Sequence, residues 1–243
     1  EGLTHATVFP SLEILSSFEA VDKIVFCSVE RHSKEVRYTG PLSKKITFHP
    51  LRSKNIRPAL LNKVLDFKIF PQQLKQLCKT HAFDYILARS APAGSLVWKI
   101  SKQLGIPLVI ESFEPHADYM LESGVWSRNN PKYLFEKKWE RLQKQHASAL
   151  ITVSNNYQRQ LIAEGISPEK IHTIPCFVAL DKFDVAQEQR QLKRQQLGIS
   201  PTQIVGVYVG KFGDIYYKEE AFQLIADAFA HFGSDFYFLI LSP

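Results

Sequence analysis

The sequence predicts an α/β fold, a doubly wound parallel sheet flanked by helices. Short apolar runs recur along the chain and read as strands, and segments with helical spacing lie between them. Most of these runs are continuously hydrophobic rather than alternating. That is the pattern of strands covered on both faces, as in a parallel sheet.

The elements follow in order. Residues 1–4 (EGLT) read as the loop after a strand, leading into a helix over 4–17. A strand is expected over 22–29 (DKIVFCSV), with Cys27 in its middle as a small core hydrophobe rather than a nucleophile. Further strands are expected at 84–88 (DYILA), 107–111 (PLVIE) and 149–153 (ALITV). A helix over 131–145 carries Pro131 in its first turn and is densely charged. Ser154 is a good N-cap for the next helix and Gly165 a good stop. After the polar, basic helix 187–196 comes a turn cluster, 197–202 (LGISPT), and then a strand at 204–209 (IVGVYV). Ala221, Phe222, Ile225, Ala228, Phe229 and Phe232 repeat at three and four across the next helix, 218–232, before a last strand at 236–241.

This order sets the expected domains. Residues 1–198 read as one Rossmann-like domain lacking its first strand. Residues 199–243 read as the start of a second, since a strand–helix–strand unit of that size is too small for its own core. Both ends of the sequence are therefore expected to be cut.

Composition narrows the class. With 243 residues, 45% hydrophobic and 22% charged, the chain can bury a substantial core, which excludes intrinsic disorder. No apolar run reaches the roughly 18 residues of a membrane helix. Cys27, Cys78 and Cys176 are widely spaced, which excludes a disulfide scaffold or a CxxC zinc site and fits a reducing cytoplasmic compartment. The net charge of +6 is dispersed over Lys44-Lys45, Arg52 and Lys54, Lys137-Lys138 and the basic helix near residue 190. Dispersed charge reads as solvated basic faces, and no nucleic-acid-binding motif accompanies it, so nucleic acid is not an expected partner.

Open α/β sheets bind ligands beyond the carboxyl ends of their strands, so the strand-end loops carry the chemistry. Gly2-Leu3-Thr4-His5 opens the first helix, whose free N–H groups can meet an anion. Arg89-Ser90 follows the strand DYILA, and residues 111–119 (ESFEPHADY) follow PLVIE. Gly210-Lys211-Phe212-Gly213 follows IVGVYV, with Lys218 at the start of the next helix. Glu111 and Glu114 fit either a general acid/base pair or ordinary loop carboxylates, and His116 fits either a structural or a functional role. No P-loop, GxSxG, HExxH or kinase motif is present.

Taken in order, these segments resemble the GT-B glycosyltransferases of the retaining, family-4 type. Gly2-Leu3-Thr4 resembles that family's glycine loop, and residues 105–116 (GIPLVIESFEPH) its segment ending in the active-site histidine. Residues 147–154 (ASALITVS) resemble its strand ending in serine, and 166–183 (ISPEKIHTIPCFVALDKF) its hinge. Residues 205–218 (VGVYVGKFGDIYYK) resemble the start of its donor domain. The hinge Asn-Gly of the family is Cys176-Phe177 here, and the family's E-x7-E donor segment would lie beyond Pro243.

The resemblance implies two Rossmann-like domains facing a cleft. It also implies transfer of a sugar from a nucleotide-diphosphate donor, such as a UDP- or GDP-sugar, to a glycan or lipid-linked acceptor, as in polysaccharide biosynthesis. No cofactor and no divalent metal are then expected. His116 becomes the catalytic residue beside the transferred sugar. Gly2, Lys211 and Lys218 become donor-binding residues, and Thr4, Arg89 and Glu114 acceptor- or sugar-binding ones. A lipid-linked acceptor is compatible with peripheral contact between basic patches and the cytoplasmic face of a membrane. The alternative is a non-catalytic sugar- or nucleotide-binding α/β module, or a degenerate transferase.

Overall fold

A computed structural model describes residues 4–30, 42–54, 56–178, 180, 186–213 and 216–242. The chain divides into two compact units, residues 1–86 with 96–107 and residues 87–95 with 108–243.

In the first unit, a π-helical turn (Thr4–Val8) leads into α1 (Phe9–Ser17). The sequence predicts one helix over 4–17. Pro10 explains the difference, because it has no N–H to bond back to the preceding turn and sits where the α-helix can begin. The strand expected over 22–29 is two short ones, β1 (Ile24–Phe26) and β2 (Val29–Glu30). Cys27 therefore lies just past β1 rather than mid-strand. Burial, reinforced by Cys78, lifts its thiol to about 11, so it stays protonated. β3 (Ile46–Phe48) pairs with β1 and β4 (Leu51–Arg52) with β2, both in parallel. Phe9, Leu12 and Ile46 form the core here, with Val8, Ile24, Phe26 and Leu42 packed against them.

The sequence reading contains no element over α2 (Ala59–His81), which holds Pro71 in its interior. Its anchor is tertiary. Ser53, buried after β4, donates to both carboxylate oxygens of Asp66 in α2, and Asn62 Nδ2 donates to Ser53 Oγ at 2.7 Å.

The main sheet has four strands in the order β5 (Ile86–Arg89), β6 (Leu108–Glu111), β7 (Ala149–Thr152) and β8 (Ile171–Thr173). β6 with β7 and β7 with β8 pair in parallel. Leu108, Ile110, Leu150, Leu161 and Ile171 are buried around it, as continuous apolar strands require. Between the strands run α3 (Ala91–Leu104), α4 (His116–Glu122), α5 (Pro131–His146) and α6 (Asn155–Ala163).

Helix ends follow their sequence signals. Asn130 caps α5 by accepting from Lys132 N–H at 2.9 Å, with Pro131 in the first turn. Ser154 caps α6 through Tyr157 N–H. Gly165 adopts φ +87° after α6, and the bonds Gly165 N–H to Ile162 O and Ile166 N–H to Leu161 O close a Schellman motif.

α7 (Gln187–Gln196) precedes β9 (Ile204–Val209), α8 (Lys218–Phe232) and β10 (Phe236–Leu241). β9 and β10 pair in parallel over all six residues. The expectation that this strand is covered on both faces is not met, since Val207 is 53% and Val209 74% exposed. Among the described residues β9 has one partner strand, so its apolar side chains lack a second layer.

Candidate active site

β6 ends at Glu111, and α4 begins at His116. The sequence reads 111–119 as a loop, but the helix opens at its histidine. Pro115 offers no side-chain cap there, and the missing partner comes from α5. Ala117 N–H donates to Glu140 Oε1 at 3.2 Å, which places a carboxylate at the positive end of α4. Asp118 ties the same turn to α5 through Tyr133 Oη at 3.2 Å and through Lys137 Nζ.

His116 is flanked on both ring nitrogens. Nδ1 lies 3.4 Å from Glu114 Oε1, and Nε2 lies 3.5 Å from Glu136 Oε1. Its ring stands edge-on to Trp126 at 6.0 Å between centroids. The Glu114 side chain is 43% exposed and that of Glu136 only 19%, so one carboxylate faces solvent and the other the protein.

Behind His116 runs a buried polar seam. Glu140 is 2% exposed, and burial lifts its carboxyl to about 7, even though Lys144 and the Ala117 N–H both favour the carboxylate. Burial likewise raises Glu136, with His116 pulling in the opposite direction. Lys144, itself buried, lies 3.5 Å from Glu164 and 5.4 Å from the centre of the Tyr157 ring. Tyr157 in turn shares a 3.2 Å hydrogen bond with Ser112 at the end of β6.

Arg89, at the end of β5, is engaged by Glu111 at 2.9 Å and stacks over the Phe113 ring at 4.6 Å. The carboxyl of Glu111 is raised because burial outweighs the nearby guanidinium. Arg89 thus does not reach out alone but is held by Glu111. Next to it, Ser90 takes φ +77°, a left-handed backbone that costs a non-glycine residue roughly 1 kcal/mol.

Lys211 is exposed on the loop after β9. The loop is pinned on either side of it. Tyr208 Oη donates to the Lys211 carbonyl, and Phe212 is stacked between Tyr208 at 4.4 Å and Phe222 at 4.9 Å. Gly213 closes the loop at φ +90°, which glycine adopts without strain. Lys218 begins α8, with Glu219 Oε1 at 3.8 Å and Glu219 and Glu220 in the first turn. An anion at this helix end meets two carboxylates as well as the free N–H groups.

Some desolvation, and the charges of Glu114, Tyr216 and Tyr217, raise the Tyr119 phenol. The segment just before Lys218 is therefore within electrostatic reach of α4. Thr4 lies in the other unit, at the first residue of the π-helical turn, and Gly2 lies outside the described residues.

Sequence reasoning missed Glu136 and Glu140. Their spacing with Lys144, each one turn apart in α5, is the signal that puts them on one face. Nothing in the sequence marks that face as buried.

Strands paired in parallel and linked by helices, with a histidine opening the helix after a central strand, define the class: an α/β glycosyltransferase fold of the GT-B kind. The family model for Glycosyltransferase Family 4 matches residues 22–182, and the chain belongs to that family. Among solved structures, it is similar to Anabaena Alr3699/HepE in complex with UDP and glucose, with a TM-score of 0.54 at 19% identity. The UDP complex of the same Anabaena protein gives a TM-score of 0.55 at 19% identity. Each match covers 81% of this chain and 48% of the Anabaena chain, so this chain spans about half the length of the structures it resembles. No curated protein matches the sequence. Among the described residues no helix is long and apolar enough to cross a membrane.

Proposed function

We propose that this chain belongs to a retaining glycosyltransferase that moves a sugar from a UDP- or GDP-sugar to a glycan or lipid-linked acceptor. Residues 1–198 are its acceptor-side domain and residues 199–243 the beginning of its donor-side domain. The observation that carries the reading is His116, opening the helix that follows a central strand, with carboxylates on both ring nitrogens, in a chain of this family.

In this reading the bond between the anomeric carbon and the diphosphate oxygen breaks. The acceptor hydroxyl oxygen bonds to that carbon and passes its proton to the departing diphosphate oxygen. Negative charge grows on the departing nucleoside diphosphate, and fixed cations aimed at it lower the barrier. Lys211, on its pinned loop, and Lys218 supply that charge without a divalent metal. Gly2, outside the described residues, is a third donor-binding residue in this reading. His116 orients the transferred sugar, and Thr4, Glu114 and Arg89 are acceptor- or sugar-binding residues. The enzyme works in the cytoplasm, against the membrane where the acceptor is lipid-linked.

The test is turnover of radiolabelled UDP- and GDP-sugars by the whole protein beside its His116→Ala variant. Transfer that is lost in a variant of unchanged circular dichroism supports the assignment. A donor that binds without transfer or hydrolysis favours the second reading, a sugar- or nucleotide-binding module. Cys176-Phe177, exposed where the family's hinge has Asn-Gly, is the feature in its favour.

A further inference from the structure

We propose that Glu136 is a positioning residue for His116. It holds Nε2 from the protein side, so that Nδ1, on the side of the more exposed Glu114, is the nitrogen that meets the substrate. The inference rests on the proposed function, which makes His116 the sugar-orienting residue.

Three observations carry it. Glu136 Oε1 is buried and lacks a hydrogen bond among the described residues, yet it stands 3.5 Å from His116 Nε2. A buried carboxylate oxygen left unpaired is costly, and a proton on Nε2 satisfies it after a small closing movement. The two carboxylates also differ in solvation. Glu114, hydrogen-bonded to Nδ1 at 3.4 Å, is the more exposed and screened and is the partner a substrate displaces, whereas the more buried Glu136 acts on the ring through a lower dielectric. When the imidazole is neutral, its one proton therefore stays on Nε2. Finally, the frame is stiff. Trp126 stands against the ring, and Glu140, one turn along α5 from Glu136, grips the N–H of Ala117 beside it. Which nitrogen of a histidine works is set by what the other one bonds, and here the other is turned inward.

Burial raises the Glu136 carboxyl, and His116 is the charge that draws it back toward the carboxylate. The titratable groups facing the pair are Glu114 from the connecting loop and Glu140, with Lys144 beyond it, from α5. Asp118 and Lys137 pair beside them.

The experiment is nitrogen-15 NMR of histidine-labelled whole protein without substrate, with the His116 signals assigned by their loss in His116→Asn. The neutral wild-type ring is expected to carry its proton on Nε2. Glu136→Gln keeps the side chain's shape and removes its charge. It should lower the His116 titration midpoint by about one unit and shift the acidic limb of the pH–kcat/KM profile with it. Glu114→Gln should shift the midpoint less. A neutral wild-type ring protonated on Nδ1 overturns the proposal, whatever the variants do. So does a Glu136→Gln protein with native circular dichroism and an unmoved His116 titration. If the protein transfers no sugar from any donor, the proposed function falls, while the titration still reads the clamp.

Discussion

The side-chain amide of Gln143 fills the space that a side chain at Gly94 would take. An added Cβ at position 94 would stand 1.6 Å from Gln143 Oε1, while Gln143 Nε2 donates to the carbonyl of Ala91 at 3.1 Å. Gln143 is 1% exposed, so α5 meets the start of α3 through one buried polar side chain.

Gly94→Ala should therefore destabilise the protein by about 1–3 kcal/mol, since Gln143 must leave its site and lose its bond. Chemical denaturation of the whole protein measures this. Adding Gln143→Ala should recover part of the loss, because the clash goes with the amide. A Gly94→Ala protein with an unchanged midpoint would show that α5 yields freely there.

Stability should fall as pH rises from about 4.5 to about 7 because of Glu140. Its folded pKa lies above its ordinary value, so the native state holds the proton more tightly than the unfolded chain. The contribution is complete below 4.5 and lost as pH rises through about 7. The full effect is on the order of 3 kcal/mol. Glu140→Gln should flatten this slope, read from urea midpoints across the range. A slope identical to wild type would mean that Glu140 is ionised in the fold.

Replacing Lys211 or Lys218 by alanine in the whole enzyme should cost about 1.5–3 kcal/mol of transition-state stabilisation, the scale of a charged hydrogen bond. Phe212→Ala should act in the same direction as Lys211→Ala, because the stacked ring holds the loop. Steady-state kcat/KM for the donor is the measurement. Unchanged kinetics in both lysine variants would remove them from the donor site.

Arg89→Ala should destabilise the fold by about 1–2 kcal/mol, leaving Glu111 partly buried without its cation. Arg89→Met with Glu111→Met should recover most of that stability in thermal melts. If the double variant folds normally and keeps its acceptor KM, Arg89 is a clamp between strands rather than an acceptor ligand.

The sequence by itself determined the layered α/β class, the strands over 84–88, 107–111 and 149–153, and several helix boundaries. These rest on local physics: continuous apolar runs, Pro131 in a first turn, the Ser154 cap, and the turn that Gly165 allows. That Arg89, Glu114, His116 and Lys211 lie at or beyond strand ends and Lys218 at a helix start was legible for the same reason, since each falls in or just after the turn that ends an apolar run or opens a periodic segment. What each of them touches was not. α5 reads in sequence as a charged, solvated helix, yet it turns Glu136, Glu140, Gln143 and Lys144 inward. That choice depends on which face the neighbouring elements cover, and no pattern of charge within one helix records it. α2 escaped the reading because Pro71 breaks the local signal while the Ser53–Asp66 contact holds the helix from outside. Only the tertiary structure decided that Arg89 would be spoken for by Glu111, and that His116 would sit between one exposed carboxylate and one buried one. Pairings between residues far apart in the chain depend on how the elements pack, whereas propensity and capping act within a few residues.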